Sequence, residues 1–251
     1  MQYIICVVAV CPIRSEPSHK SEMVSQLLFG ETAEILEISA EFIKIKCLSD
    51  GYEGWIGRRR VEKISSAEPF LHPRGFVSSA EQYALLNDTL LRLSLGTPVL
   101  GDGYFGSQKV AYVAPDLQTF SPADFTPAVI NQISRAYLNT PHLWGGKSSF
   151  GIDCSGFTQQ VFKMFGKNIP RDAYQQATLG SEVSYPQEVR TGDLAFFENQ
   201  EGKIIHVGIV LTSSTIIHSS AWVRIDQLDK RGILNLASGE YTHRLKQINR
   251  I

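Results

Sequence analysis

Cys154 is the residue of this chain best placed to act as a nucleophile. Phe157, Val161 and Phe165 repeat every four residues after it, which predicts a helix that begins at the cysteine. A thiol at a helix N-terminus faces unpaired backbone N–H groups and the positive end of the helix dipole, and both favour the thiolate. The same N–H groups can stabilise the oxyanion that forms when a thiolate attacks a carbonyl. The alternative is a buried cysteine that serves only as a small apolar side chain.

A cysteine nucleophile needs a general base, and two downstream apolar runs each contain one histidine, His206 and His218. If these runs pair as a hairpin without a bulge, both histidines lie on one face within side-chain reach. His206 is then expected to take the thiol proton and to protonate the leaving amine, while His218 orients its ring. The alternative is a pair of structural histidines. The remaining histidines show no such partnership and are expected at surface or structural positions: His19, His72, His142 and His243.

Charge and composition exclude several other classes of protein. The chain has 24 Lys+Arg against 25 Asp+Glu and no long basic run, so neither nucleic acid nor an anionic membrane is an expected partner. The apolar run at residues 3–10 lacks the basic residues and cleavage site of a signal peptide, and we interpret it as a strand. The four cysteines form no CxxC pair and have no metal-ligand spacing. We therefore expect reduced thiols, a cytoplasmic location, and neither a metal nor another cofactor.

The elements that position these residues fall into three predicted domains, at residues 1–65, 66–122 and 123–251. Short apolar runs between turn residues predict a small all-β barrel in the first domain. Its alternation of period two places Ile43, Ile45 and Cys47 on a core face. The second domain repeats this style less clearly, and we interpret it as a divergent barrel.

The motifs of the third domain resemble those of the NlpC-type peptidoglycan cysteine peptidases over roughly residues 124–251. The matching motifs, in chain order, are Gly151-Ile152-Asp153-Cys154-Ser155-Gly156-Phe157, Gly192-Asp193-Leu194, His206-Val207-Gly208-Ile209 and His218. The resemblance implies an α+β, papain-like core in which a helix with the cysteine packs on an antiparallel sheet with both histidines. It also implies Cys154 as nucleophile, His206 as base and His218 as third catalytic member.

Two further motifs narrow this resemblance: Gly51-Tyr52-Glu53-Gly54-Trp55 and Pro170-Arg171-Asp172-Ala173. They are similar to motifs of the γ-D-glutamyl-L-diamino acid endopeptidases, in which bacterial SH3-like barrels precede the catalytic domain. That group binds a free N-terminal L-Ala and cuts after L-Ala-γ-D-Glu. The implied substrate is a murein tri- or tetrapeptide, and the implied role is recycling of wall peptides by a monomer.

The same resemblance assigns a substrate pocket. Because a substrate ammonium needs a fixed carboxylate, Asp172 is expected to bind it. Tyr52 is expected to reach across from the first barrel, and Glu22, chosen over Glu31, is expected to complete the amine pocket. The remaining pocket residues come from the matching motifs and the segment before them: Asp153, Ser155 and Trp144.

Two alternative functions stay open at this point. An amidase or an acyltransferase on the same core is possible because a Cys-His-His set specifies acyl chemistry without specifying the acyl group. A non-catalytic cell-wall binding protein is the other alternative, although intact Cys154, His206 and His218 argue against it. Substrate profiling separates the three.

Overall fold

A computed structural model describes residues 2–79, 81–113, 117–118 and 120–251. The chain divides into two units, the first formed by Met1–Phe120 with Trp144–Phe150, and the second by Ser121–Leu143 with Gly151–Ile251. Within the described residues, no helix has the length and apolar character needed to cross a membrane.

The first unit consists mainly of antiparallel strands. These are β1 (Tyr3–Cys6), β2 (Val10–Arg14), β3 (Met23–Leu28), β4 (Thr32–Ile38), β5 (Phe42–Cys47), β6 (Glu53–Gly57), β7 (Val61–Ile64), β8 (Gly75–Val77), β9 (Gln82–Leu86), β10 (Thr89–Leu93), β11 (Pro98–Val99), β12 (Gly103–Phe105), β13 (Gln108–Val113), β14 (Leu117–Gln118) and β15 (Lys147–Ser148), with 3₁₀ turns at Arg58–Arg60 and Glu68–Phe70. The sheets have the strand orders β3-β2-β6-β5-β4-β1-β7, β10-β9-β13-β12 and β11-β8-β14. The division of this unit at residue 65 into two barrels stays a prediction.

The apolar run at residues 3–10 forms two strands, so the prediction of one strand is wrong. β1 pairs with β4 and β7, whereas β2 pairs with β3 and β6, and the chain must bend between them to change partners. Ile4 and Cys6 belong to one hydrophobic cluster, and Ile5 and Val7 belong to another. Because both faces of β1 are buried, its sequence is continuously apolar rather than alternating.

The predicted core face of β5 is confirmed. Ile43, Ile45 and Cys47 are 3%, 0% and 2% exposed, while Lys46 between them is exposed. The period-two alternation in the sequence therefore assigned the inner and outer faces of this strand correctly.

The second unit is a β-barrel with short helices. Its elements are α1 (Pro127–Arg135), β16 (Gly151–Ile152), α2 (Cys154–Lys163), α3 (Ala173–Gln176), β17 (Ser181–Glu182), β18 (Leu194–Glu198), β19 (Ile204–Thr212), β20 (Thr215–Ser220), β21 (Trp222–Asp229), β22 (Gly232–Leu234) and β23 (Tyr241–Arg250), with a 3₁₀ turn at Pro122–Asp124. The antiparallel sheet runs β17-β23-β18-β19-β20-β21-β22, and β22 also pairs with β23. This extra pairing closes β18 to β23 into a six-stranded barrel.

Helix α2 begins at Cys154, which confirms the predicted helix start. Phe157, Val161 and Phe165 are each 0% exposed, so the predicted apolar stripe is buried. The helix packs against β19 and β20. This packing fixes the helix start beside the strands that contain His206 and His218.

The Gly192-Asp193-Leu194 motif has a structural function in this unit. The Asp193 carboxylate accepts hydrogen bonds from Arg250 Nε (2.9 Å) and Nη2 (2.8 Å), and its backbone carbonyl accepts one from Val210 N–H (2.9 Å). Gly192 has a φ of +94°, a conformation that glycine adopts without steric cost. The motif thereby joins the start of β18 to β19 and to the end of β23.

Candidate active site

The Cys154 thiol is buried at the first residue of α2, with 9% of the residue exposed. Burial raises the pKa of this thiol to about 12, and the Asp153 charge adds to the rise, whereas the N–H groups of Val207 and Ser155 and the Arg171 guanidinium lower the pKa. Backbone N–H groups favour the thiolate here, as expected, but desolvation outweighs them. A neighbouring base must take the proton.

Two strand histidines lie together on the inner side of the barrel. His206 Nε2 is 2.9 Å from His218 Nδ1, which confirms that the two side chains are within reach. The hairpin does contain a register shift, between Val210 and Thr212, contrary to the assumption of a regular pairing. Because the shift lies toward the turn, beyond both histidines, it leaves them on the same face.

Gly208 makes this approach of the histidines possible. It is the direct cross-strand partner of His218. A Cβ atom at Gly208 would lie 2.9 Å from His218 Cβ and 2.7 Å from Ile216 Cδ1, both closer than van der Waals contact allows. A side chain at this position would displace His218 from His206.

Asp226 extends the pair of histidines into a chain of three polar side chains, although it was not among the predicted site residues. Its Oδ2 is 3.1 Å from His218 Nε2 and 2.7 Å from Arg224 Nε, and its Oδ1 accepts from Arg224 Nη2 (2.9 Å) and Leu236 N–H (3.1 Å). Burial alone would raise the pKa of Asp226, but the hydrogen bonds from His218 and Arg224 outweigh it and lower the pKa to about 2. The carboxylate is ionised at neutral pH.

His206 and His218 are both neutral at neutral pH. Burial lowers the pKa of His206 well below its usual value, and the nearby His218, His243 and His142 lower it further. Burial also lowers the pKa of His218, although the hydrogen bond and charge of Asp226 oppose this. A neutral imidazole has one N–H donor and one acceptor nitrogen.

These charges determine the tautomers. An ionised Asp226 only accepts hydrogen bonds, so His218 Nε2 must donate to it and His218 Nδ1 must accept from His206 Nε2. The lone pair of His206 therefore lies on Nδ1. This nitrogen is the proton acceptor that a buried thiol requires.

The expectation that His243 lacks a partnership is wrong. Its ring stacks on His206 with centroids 4.1 Å apart and an interplanar angle of 27°. Burial lowers the pKa of His243 to about 4, so this ring is also neutral at neutral pH. His243 and His206 lie two strands apart in the sheet, because β18 pairs with β23 on one side and with β19 on the other.

His142 has a structural contact, which is one of the two roles expected for it. Its Nδ1 is 3.0 Å from the Ser219 hydroxyl, which donates to the Ile152 carbonyl at 2.8 Å. His142 also lies near enough to His206 to lower the pKa of that ring. His19 and His72 are exposed, as expected.

A buried arginine holds the start of α2. Arg171 is 2% exposed, and its Nη1 and Nη2 donate to Asp153 Oδ1 (3.0 Å) and Oδ2 (2.5 Å). Nη1 also donates to the Ser155 hydroxyl (2.9 Å), while Asp153 accepts from Gly156 N–H (2.7 Å) as the helix N-cap. Asp153 and Ser155 thus position Cys154, and their assignment to substrate binding stays a prediction.

Asp172 follows this arginine and is partly exposed at the N-cap position of α3. Gln176 of α3 accepts from the Thr158 hydroxyl (2.7 Å) and donates to the Ser155 carbonyl (3.1 Å). These bonds tie α3 to α2 and fix the position of Asp172 relative to the cysteine.

The other predicted pocket residues lie in the first unit. Trp144 is 66% exposed, and its Nε1 donates to Glu22 Oε1 at 2.6 Å. Tyr52 is half-buried and packs against the core of this unit. Glu31 is buried and accepts from Leu28 N–H (2.9 Å), whereas Glu22 is exposed. Contact of these residues with substrate stays a prediction.

Among the residues that the structure describes, no group of three His, Cys, Asp or Glu side chains is arranged to hold a metal ion.

Comparisons with known proteins identify relatives of both parts of the chain. The NlpC/P60 family model matches residues 139–239, and the model of the bacterial dipeptidyl-peptidase Sh3 domain matches residues 13–59. A Bacillus subtilis protein named gamma-D-glutamyl-L-lysine dipeptidyl-peptidase is 33% identical over 219 residues, which cover 78% of this chain and 71% of the relative. A Bacillus cereus protein of the same name is 26% identical over 229 residues, which cover 80% of this chain and 68% of the relative.

A solved structure extends the similarity to the whole fold. The crystal structure of an NlpC/P60 family protein from Bacillus cereus matches with a TM-score of 0.79 at 20% identity, over 99% of each chain. The two proteins therefore share a fold.

Proposed function

Since this chain belongs to the NlpC/P60 family and is a cysteine peptidase, we propose that it hydrolyses the bond between γ-D-Glu and the diamino acid of murein peptides with a free N-terminal L-Ala. The products are L-Ala-γ-D-Glu and a peptide or amino acid that begins with the diamino acid. The observation that carries the proposal is the chain His206–His218–Asp226, whose hydrogen bonds leave Nδ1 of His206 free to accept a proton. The names of the relatives that match most of this chain support the choice of bond.

The proposed reaction begins with proton transfer from the Cys154 thiol to His206 Nδ1. The thiolate attacks the γ-carbonyl carbon of D-Glu, and N–H groups at the start of α2 stabilise the oxyanion. His206 returns the proton to the leaving amine as the C–N bond breaks, which leaves a thioester on Cys154. Water, deprotonated by His206, then hydrolyses the thioester and restores the thiol.

His218 and Asp226 act through His206 in this proposal. The hydrogen bond from His206 Nε2 to His218 Nδ1 holds the ring in the tautomer that accepts the thiol proton. Asp226, ionised and held by Arg224, favours the positive charge that develops on the two imidazoles. The pair thus orients the base and stabilises its protonated form.

We include in the proposal a papain-like arrangement and the three-domain division at residues 65 and 122. Packing of α2, with its cysteine, against β19 and β20, with their histidines, supports the papain-like arrangement. We also propose that the enzyme recycles wall peptides in the cytoplasm. Its four cysteines have free thiols, which are typical of a reducing compartment.

The free amine of the substrate is proposed to bind Asp172. Asp172 caps α3, and the bonds of Gln176 to Thr158 and to the Ser155 carbonyl join α3 to the first turns of α2. An N-terminal ammonium placed there fixes the scissile bond relative to Cys154.

The test is mass spectrometry of the products from L-Ala-γ-D-Glu-L-Lys and its diaminopimelate analogue. We expect L-Ala-γ-D-Glu and the free diamino acid from the wild type and neither from Cys154→Ala. The N-acetyl-L-Ala form of each peptide is the matched control and should be cut far more slowly. Cleavage of another amide, or acyl transfer, with no release of the diamino acid would favour the amidase or acyltransferase alternative.

A further inference from the structure

The barrel of the second unit has a cavity of about 370 Å³ at the end where β18 finishes and β19 and β23 begin. This volume lies in the range of small-molecule sites, roughly 300–1,000 Å³. Its lining residues include one acid, two arginines and one histidine that bear on its chemistry: Glu198, Arg231, Arg244 and His243.

The cavity adjoins the proposed base. His243, which lines it, stacks on His206 at a centroid distance of 4.1 Å. Ile205, the chain neighbour of His206, also lines it. Because His206 must protonate the leaving amine, the group that departs has to lie close to this ring.

The charges around the Glu198 carboxylate, which lines the cavity, leave an excess of positive charge. Glu198 is 7% exposed, and two cations share its carboxylate: Arg244 Nε lies 3.3 Å from Oε1 and Lys246 Nζ lies 3.0 Å from Oε2. One negative charge therefore faces two positive charges. A ligand carboxylate would neutralise the surplus.

The second arginine of the cavity is already neutralised. Arg231 Nη2 lies 3.2 Å from Asp229 Oδ2, and its guanidinium carbon lies 4.1 Å from the centre of the Tyr241 ring. Arg244 is 71% exposed at its side chain and has to share the Glu198 carboxylate with Lys246, so it is the arginine of the cavity that can also meet a ligand carboxylate.

We propose that this cavity is the leaving-group subsite and that Arg244 binds a carboxylate of the departing diamino acid. The inference rests on the proposed function, since only that reaction places a diamino acid next to His206. An amino acid with a free carboxylate is then a better leaving group for this enzyme than one whose carboxylate is masked.

The test combines one enzyme variant with one substrate change. Values of kcat/KM are measured for wild type and Arg244→Gln on L-Ala-γ-D-Glu-L-Lys and on its C-terminal amide, which lacks the carboxylate. We expect the wild type to prefer the acid by about tenfold, and Arg244→Gln to lose most of this preference, mainly through KM on the acid. Arg244→Lys, which keeps the charge, should retain part of it.

Arg135→Gln is the matched control, because it removes an exposed arginine of α1 in the same unit. It should keep the full preference for the acid. Equal kcat/KM on acid and amide in the wild type, or an unchanged preference in Arg244→Gln, would overturn the subsite while the proposed function stands. If the wild type releases lysine or lysinamide from neither peptide, the proposed function fails, and the subsite fails with it.

Discussion

Buried cysteines occur in both units, and the groups that surround them differ. Cys6, Cys11 and Cys47 lie in the hydrophobic core of the first unit, and Cys154 lies at the start of α2 in the second. Burial raises the pKa of Cys6 and Cys47 well above the usual value, and it raises that of Cys154 to about 12. The pKa of the free thiol therefore does not separate a nucleophile from a core residue.

The groups around each sulfur do separate them. The Cys6 thiol donates to the backbone carbonyls of Val8 (3.3 Å) and Leu27 (3.8 Å), and the Cys11 thiol lies 3.9 Å from the Pro12 carbonyl oxygen. The backbone N–H groups of Val207 and Ser155 favour the thiolate of Cys154, and Val207 directly follows His206 in β19. Burial makes a thiol inert unless N–H donors and a base with a free lone pair are buried with it.

The largest expected effect is on kcat, and it appears when one cysteine from each unit is replaced separately by alanine. Cys154→Ala should lower kcat by at least about 10⁴-fold, because no other group can form the thioester. Cys11→Ala should leave kcat unchanged, since that thiol only fills the core. Steady-state kinetics on the murein tripeptide measure both, and equal losses in the two variants would contradict the assignment of the nucleophile.

Asp226→Asn should have the next largest effect, a decrease in kcat of about 10²-fold. Both carboxylate oxygens accept hydrogen bonds, so an amide must present an N–H either to His218 or to a donor of Arg224 or Leu236. An N–H toward His218 would reverse the tautomers and place the proton on His206 Nδ1. Asp124→Asn, at an exposed carboxylate of the same unit, is the control, and a similar loss in it would argue against the tautomer mechanism.

The pH profile of the reaction should respond to substitution of His243. Because the pKa of His206 lies well below the usual 6.5, this base becomes protonated only at a lower pH than an ordinary histidine. The acid limb of kcat/KM should therefore lie below pH 6.5. His243→Ala admits water, weakens the desolvation that lowers the pKa, and should raise the limb toward 6.5. His243→Phe preserves the stacked ring and should not move it as far. Identical limbs in both variants would show that the stack does not control the base.

The smallest effect is expected on stability, from a change in the first unit alone. Cys47→Ser places a hydroxyl in an apolar core and should lower the free energy of unfolding by about 1–3 kcal/mol, with kcat unchanged. Urea unfolding of the two proteins measures the difference. If Cys47→Ser lowered kcat without lowering the free energy of unfolding, Cys47 would contribute to catalysis. That result would contradict the distinction drawn between the cysteines of the two units.

Local patterns in the sequence were enough to predict the helix and the strands that contain Cys154, His206 and His218. The four-residue spacing of Phe157, Val161 and Phe165 located the helix start, because one turn of helix and one buried stripe are properties of neighbouring residues. The alternation in β19 and β20 likewise put His206 and His218 on one face. The order of the motifs around them pointed to the family.

Only the tertiary structure showed which distant residues complete the site. Asp226 lies one strand beyond His218, and His243 reaches His206 across β18, with which both β23 and β19 pair. Arg171 lies in the loop between α2 and α3, and no periodic pattern in the sequence indicates that it binds Asp153. Burial, and with it the shift of each pKa, depends on every element packed around a group. The sequence alone therefore determined which residue types could react, whereas packing decided their protonation, their tautomers and the orientation of the base.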